Sequence, residues 1–418
     1  MQPPPLANDC FALPPGVDWT PVDTALAHLG ATLSPVAAPV TTPLFDANDH
    51  FLAEPLVGRR ANPPAPNAAV DGFAFAGEGL SDGVIIRPLA PGRAAAGAPF
   101  TGTVPPGAAV RILTGALLPK GADTVVLEED CTIEQARIAF RGPLKRGANT
   151  RRAGEDFAAG APLFPAGHRL RPQDLALAAA AGHGALQVHR PLRVAVLSTG
   201  DEVCDPGATV APHQTFDANR PMLLALIKSF GMEPVDLGRQ LDRRAAIEAA
   251  FSDGARAADA IITTGGASAG DEDHVSAALK ARSALSLWRI AVKPGRPLAL
   301  GVWEGVPIFG LPGNPVAAFV CALVFVAPAL RRLAGGVWRG PEGIFVPAAF
   351  SKNKKAGRRE FLRARLNGAG AAEVFSSEGS GRITSLTFAD GLVELPDGAA
   401  AIAPGTPVRY VPIAAFRP

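Results

Sequence analysis

Sulfur-bearing and large polar aromatic side chains are scarce: the 418 residues include one Tyr, four Trp, three Met and four Cys. Cys10, Cys131, Cys204 and Cys321 are too far apart for a zinc knuckle or a Cys-x-x-Cys redox pair. Free thiols in a reducing cytoplasm are therefore expected. The seven histidines, His183, His213 and His274 among them, show no ligand spacing either. No sign of charge dominates, because 40 Lys and Arg face 38 Asp and Glu. That balance nominates no polyanionic partner, and no nucleic acid is expected. The opening MQPPPLANDCFALPPG has no basic segment ahead of an apolar one, so no secretory signal is expected and the mature chain should start where the sequence does. The longest apolar run, Pro315 to Leu330, stops short of the ~20 residues a spanning helix requires and carries Pro328 near its end. A buried helix, with no membrane partner, is expected there. Neither a P-loop nor a G-x-G-x-x-G fingerprint opening a βαβ unit occurs, which disfavours ordinary P-loop and NAD-dependent chemistry.

Glycine and proline are abundant, 45 and 41 residues or about a fifth of the chain, and predict many short elements joined by tight turns. The length corresponds to about three domains at ~150 residues each, and no internal repeat persists. Thr20 to Leu33 carries apolar positions at helical spacing. Between Pro55 and Gly147, β-branched runs such as Gly83-Val84-Ile85-Ile86 and Thr124-Val125-Val126-Leu127 alternate with Pro and Gly, the texture of a small β domain. Leu170 to Ala181 predicts a helix stopped by Gly182. From Leu192 strands and helices alternate: strands at LRVAVLS, 234–237 and 259–263, helices over 220–230, 243–251 and 274–281. That order predicts a parallel sheet covered on both faces, with ligands at the carboxyl ends of its strands. Beyond Gly335-Gly336 the chain returns to short strands and turns.

Three glycine-bearing loops each follow a predicted strand: Thr199-Gly200-Asp201-Glu202, the run from Thr264-Gly265-Gly266 through Ser268 to Asp273, and Gly310-Leu311-Pro312-Gly313-Asn314. Glycines let successive N–H groups point at an oxyanion, and a following helix adds its positive N-terminus, so phosphate is the expected guest. Asn314-Pro315 fits an N-cap followed by proline at the first helical position. Asp201, Glu202, Asp242, Asp271, Glu272 and Asp273 surround these loops. Carboxylates beside a phosphate cradle repel one another unless a cation joins them, which points to a Mg2+-bridged pyrophosphate, with Asp201 and Glu202 placed directly after a strand and a glycine. Arg289, Lys293 and Arg296 frame a Pro-Gly turn after an apolar strand, a place for an oxyanion. Asp71, Thr114 and Asp156 lie in glycine-bearing turns that physics alone reads as turns.

The segments AAVDGFAF, AVRILTGALLPKGADTVV, ANTRRAGEDFAAG, VAVLSTGDEV, AIITTGGASAGDED, VKPGRPLALG and FGLPGNPVAAF follow one another in family order. From about Asp9 to the C-terminus the chain resembles the molybdopterin molybdenumtransferase family, the molybdate-inserting enzymes that include the E domain of gephyrin. The resemblance implies a cytoplasmic homodimer in which adenylylated molybdopterin and molybdate react, with Mg2+, to release AMP and leave molybdenum cofactor. Molybdopterin adenylyltransferase and apo-molybdoenzymes are the partner proteins it brings with it. It implies an α/β multidomain fold whose central three-layer α/β domain, with a mostly parallel sheet, spans 190–336. Residues 1–46 and 148–189 would form an N-terminal mixed lobe, 47–147 an inserted β domain, and 337–418 a C-terminal β barrel.

Carried over position by position, the family's functional residues fall on Asp71, Thr114, Asp156, Glu202, Asp242, Asp273, Lys293, Arg363 and Ser380. The α/β loops, through Thr199, Gly200, Gly265, Gly266, Ser268, Pro312, Gly313 and Asn314, would hold adenylate and pyrophosphate. Glu202 and Asp273 would neighbour Mg2+. Lys293 and Arg296, near Arg289 and with Arg363 and Ser380, would cradle molybdate. Asp71, Thr114 and Asp156 would complete the cleft from another subunit or lobe. Val70 and Phe73 stand where Met and Tyr are common, and Arg289 and Arg296 where Lys is common, which allows an altered anion preference such as tungstate. Two rival readings remain. Molybdopterin adenylyltransferase shares the α/β module but needs only one domain, and a non-catalytic gephyrin-like scaffold has no use for the intact acids and cations.

Overall fold

A computed structural model describes residues 19–77, 82–265, 274–281, 285–295, 297–377, 379 and 381–417. At its centre four parallel strands lie in the order Glu233–Gln240, Arg193–Thr199, Ala260–Thr264, Val306–Leu311. Pro297–Trp303 and Leu285–Arg289 extend the sheet antiparallel. The near-continuous apolar runs of the central strands put side chains alternately into two cores. Val194, Val196, Ala260, Ile262 and Phe309 pack with Leu223, Ile227 and the helical run Pro315–Leu333. Ala195, Leu197, Ile261 and Ile308 face Ile247 and Phe251 of the helix Arg244–Ala257, and Val275 and Leu279 of the helix His274–Ala281. The sheet is thus covered on both faces. The two antiparallel strands were not foreseen from the strand–helix alternation. Val306–Leu311 follows Pro297–Trp303 after only Glu304-Gly305, both at positive φ (49° and 84°). A two-residue turn of that kind makes a hairpin and leaves no room for a crossover.

The run Pro315–Leu333 is long and apolar enough to cross a membrane, but 83% of its apolar window is buried inside the fold. It is α-helical over Pro315–Cys321 and Ala327–Leu333, with a π-helical turn, Ala322–Val326, between them. Pro328 lacks the N–H that would continue the α ladder, and the helix widens just before it.

An N-terminal lobe gathers Leu44, Ala47, Leu52 and Leu56 with Leu170, Ala178, Leu186 and Val188. Its transition to the β domain therefore lies beyond residue 46, since Leu52 and Leu56 face the helix Pro172–Ala180 and the strand Ala185–His189 rather than the inserted sheet. The first helix, Val22–Thr32, departs from the lobe as well: Val22, Ala25 and Leu29 are buried in the α/β core. The inserted domain is a six-stranded sheet in the order Thr124–Leu127, Gly72–Phe75, Ala109–Ile112, Gly83–Ala94, Arg137–Gly142, Cys131–Glu134. In the C-terminal domain the order is Val292–Lys293, Arg359–Leu366, Gly391–Leu395, Pro407–Pro412, Ile344–Pro347. Its first member comes from the α/β domain: Val292 and Lys293 pair in parallel with Arg359 and Glu360.

The lobe's helix Pro172–Ala180 is fastened by Asp174, whose Oδ2 accepts from the Arg171 backbone N–H (2.9 Å) and lies 2.9 Å from His168 Nε2. Burial opposes ionisation of Asp174, but the Arg171 and His168 hydrogen bonds outweigh it and hold the carboxyl down at about 2. Its stabilisation is complete above about pH 4 and disappears as pH falls through about 2. Asp174→Asn is expected to lower stability by on the order of 2 kcal/mol at pH 7 in urea denaturation, a gap that closes between about pH 4 and pH 2.

Candidate functional site

The three parallel strands ending at Thr199, Thr264 and Leu311 are neighbours, so their loops emerge side by side at one edge of the sheet. A cavity of about 140 Å³ opens there, lined by Ser198, Thr199, Glu202, Asp217, Asn219, Thr264, Gly265, Gly313 and nearby residues. Gly265, at φ +88°, lies against Thr199, whose carbonyl oxygen a Cβ would strike, and a Cβ on Gly313 would lie 3.7 Å from the Gly265 Cα. Asn219 ties two loops together: its Nδ2 donates to Thr264 Oγ1 (2.6 Å) and to the Gly313 carbonyl (2.8 Å). Thr264 Oγ1 lies 3.3 Å from the Pro312 carbonyl. Asn314 Oδ1 accepts from the N–H groups of Val316 and Ala317 and so caps the long apolar helix as its sequence implied.

Among the described residues, three buried polar atoms on the wall, Ser198 Oγ, Thr199 Oγ1 and Asn219 Oδ1, have no partner, and Asp217 Oδ2 makes no hydrogen bond. Buried polar atoms are nearly always satisfied, so such a group lining one cavity marks a place for a polar ligand. Asp217 and Asn219 escaped the sequence reading. Asp217 Oδ1 accepts from the N–H groups of Asn219 and Arg220, and Asp217 Oδ2 forms an ion pair with Arg220 Nε at 3.4 Å. The available signal was Asp-Ala-Asn-Arg just ahead of a helical pattern, which reads as a cap. A larger cavity, about 310 Å³, lies in the N-terminal lobe among Glu54, Arg59, His183 and Gln187. None of the sequence-predicted site residues line it, and the chemistry argues for the smaller one.

Acids gather at the adjoining strand ends. The Asp242 backbone N–H donates to Asp201 Oδ1 (3.1 Å), and burial, followed by the charges of Asp201 and Glu202, pushes the Asp242 carboxyl above the usual range. Asp242 Oδ1 is buried without a partner. Among the described residues no group of three His, Cys, Asp or Glu side chains has metal-holding geometry. Gly266, Ser268 and Asp273 lie outside the described residues, as do Arg296 and Ser380.

The cations lie on the same edge. Arg289 ends the strand opposite Pro297, and Pro297–Trp303 runs antiparallel to Val306–Leu311, so the intervening segment returns to the carboxyl end. Lys293 Nζ lies 3.5 Å from Glu360 Oε1 on the C-terminal sheet. Arg363, read as a molybdate ligand, is 2% exposed; its Nε donates to Ser385 Oγ (3.1 Å) and its Nη2 to the Ser377 carbonyl (2.9 Å). It holds the loop that leads into Ser380.

Asp71 and Thr114 are brought together in the inserted domain: Asp71 Oδ1 accepts from both the N–H and the hydroxyl of Thr114, each at 2.6 Å. Those two bonds hold the Asp71 carboxyl below the usual carboxylate range. Asp156 lies apart from that pair in the interactions it makes, bonding Asn62 Nδ2 through Oδ2 (3.0 Å). Phe73, the departure from tyrosine, is 1% exposed and packs with Phe75, Val126, Ile138 and Phe140, so its missing hydroxyl is a property of that core.

Three family models match the chain: the MoeA N-terminal region (domain I and II) over 20–182, the probable molybdopterin binding domain over 195–332, and the MoeA C-terminal region (domain IV) over 346–413. The molybdopterin molybdenumtransferase of Haemophilus influenzae is 36% identical over 337 residues, 80% of this chain and 83% of that protein. That of a Nostoc species is 33% identical over 378 residues, 87% of this chain and 86% of that one. The structure of a molybdopterin biosynthesis MoeA protein from Pyrococcus horikoshii superposes with a TM-score of 0.81 at 26% identity, covering 94% of this chain and 100% of that chain. With relatives this similar over most of both lengths, the chain belongs to the molybdopterin molybdenumtransferase family.

Proposed function

We propose that this protein transfers molybdenum to molybdopterin, inserting molybdate into adenylylated molybdopterin with Mg2+ to give molybdenum cofactor and AMP. The observation that carries this reading is the cavity at the strand ends, whose buried Ser198 Oγ, Thr199 Oγ1 and Asn219 Oδ1 have no partner among the described residues. It lies within the segment matched by the molybdopterin-binding family model. The loops ending at Thr199, Gly265 and Gly313 orient the adenylylated substrate through backbone N–H groups. Lys293, at the joint with the C-terminal domain, binds the molybdate oxygens. Held side by side, the two substrates need no protein nucleophile, and orientation with charge stabilisation accounts for the protein's part.

The acids fit a divalent cation, because Asp242 is crowded by Asp201 and Glu202 and keeps an unpartnered oxygen. No three of the described acids form a cage, so Mg2+ would be shared between one or two of Asp201, Glu202 and Asp242, together with Asp273 and the substrate's phosphates, and the ion would neutralise charge on the pyrophosphate. We infer a cytoplasmic homodimer in which Asp71, Thr114 and Asp156 of one protomer rim the cleft of the other. The preordered, exposed Asp71–Thr114 pair supports this arrangement. Molybdopterin adenylyltransferase would hand over the adenylate, and apo-molybdoenzymes would accept the product.

Incubation with adenylylated molybdopterin should release AMP only when both Mg2+ and molybdate are present; release that ignores molybdate, or adenylate formation from ATP and molybdopterin, would contradict the assignment. Gly265→Ala forces a Cβ against the Thr199 carbonyl and is expected to weaken adenylylated molybdopterin binding at least about tenfold, ~1.4 kcal/mol, in a titration. Asp242→Asn relieves the carboxylate repulsion and should raise the Mg2+ concentration for half-maximal AMP release about tenfold.

A further inference from the structure

We propose that Glu360 is a positioning residue for the oxyanion nook, fixing Lys293 in place by sharing its carboxylate between Lys293 and Lys352. The inference rests on the reading of Lys293 as a molybdate-binding group, and it assigns roles to two residues that no sequence motif singled out. Glu360 is 8% exposed, and a carboxylate that buried requires charged partners. It has ion-pair contacts on both sides: Oε1 lies 3.5 Å from Lys293 Nζ, and Oε2, which makes no hydrogen bond among the described residues, lies 3.1 Å from Lys352 Nζ. The three side chains come from separate places in the chain. Lys293 stands on the two-residue strand that left the α/β domain, Lys352 on Lys352–Lys354, and Glu360 on Arg359–Leu366. Backbone register reinforces the ion pair, because Lys293 and Glu360 are direct partners in the parallel ladder.

The neighbouring charges on this strand have main partners of their own. Arg359 pairs with Asp23 (2.7 Å), Asp397 (2.9 Å) and Glu394 (3.3 Å). Leu362 and Ala364, on the same face of the strand as Glu360, continue into the C-terminal core. Lys354 is also buried nearby, but its Nζ donates to the carbonyls of Lys355 (2.9 Å) and Gly398 (3.0 Å), so it serves the turn. Lysine is a flexible point charge that binds an oxyanion well only when its ammonium is already where the anion will sit. Glu360 supplies that preorganisation. It also lets two ammonium groups share one small volume, where without the carboxylate they would repel each other and Lys293 would swing away.

The test uses the whole protein, with wild type, Glu360→Gln and Glu360→Asp compared by equilibrium dialysis against radiolabelled molybdate. The Michaelis constants for molybdate and for adenylylated molybdopterin, and the thermal unfolding midpoint, are read alongside. Glu360→Gln keeps the shape and removes the charge; molybdate affinity should fall about tenfold while the constant for adenylylated molybdopterin moves less than about twofold. Glu360→Asp should recover most of the loss. Unchanged molybdate affinity in Glu360→Gln overturns the proposal, and so does an equal loss for both substrates with a lowered midpoint, since that is the mark of a mere structural joint. If Glu360→Gln does not fold, Lys352→Gln reads the same arrangement: a carboxylate no longer shared closes on Lys293 and draws its ammonium out of place, and molybdate affinity should again fall. No change there overturns the proposal. Wild-type protein that binds molybdate yet releases no AMP would sink the transferase reading and leave this one standing; wild-type protein that binds no molybdate overturns the role of Lys293 and this proposal with it.

Discussion

A buried hydroxyl or amide oxygen with no hydrogen bond costs about 1–3 kcal/mol, and among the described residues this fold keeps three such atoms around one cavity, on Ser198, Thr199 and Asn219. The surrounding structure is what makes that cost tolerable. Alternating side chains of the central strands fill two separate apolar cores, one under the long Pro315–Leu333 run and one under the helices Arg244–Ala257 and His274–Ala281. With both faces sealed, the carboxyl edge is the place where polar groups can stay unsatisfied until a ligand arrives. Asn219 shows how such an edge is kept in order: one half of its amide fastens two loops, and the other is left for the guest.

The second constraint is the joint between domains. The chain between two α/β strands leaves its own sheet at Val292–Lys293, adds a strand to the C-terminal domain, and returns at Pro297–Trp303. A cation read as belonging to the α/β domain is thereby positioned by the C-terminal one. Arg363 and its partners on 377–379 make a similar point, since a buried guanidinium orders the loop beside the joint. The two halves of the proposed reaction, a phosphate-bearing substrate and a metal oxyanion, would thus meet where two domains share backbone pairing.

Much of this was legible because it is local. A strand followed at once by glycine occurs at Thr199-Gly200, Thr264-Gly265 and Gly310-Leu311-Pro312-Gly313, and parallel strands are bound to bring those loops to one edge. Asn314-Pro315 announced its helix cap by chemistry alone. What escaped depends on approach from a distance or on short connections. Asp217 and Asn219 look like an ordinary helix start until the neighbouring loops close over them. The antiparallel edge turned on two residues, Glu304 and Gly305, at positive φ. The extent of the N-terminal lobe was hidden because Leu52 and Leu56 lie in Pro-interrupted chain with no period to read, and Glu360 looked like one more charge in an Arg-rich strand.

The central claim is that the loops at the ends of three adjacent strands close on one ligand together. Amide hydrogen exchange on the full-length protein, with and without adenylylated molybdopterin and Mg2+, tests it directly. The account predicts concerted protection of residues 199–203, 264–265 and 313–317; protection confined to one of these loops, or appearing instead around the N-terminal cavity near Arg59 and His183, would contradict it.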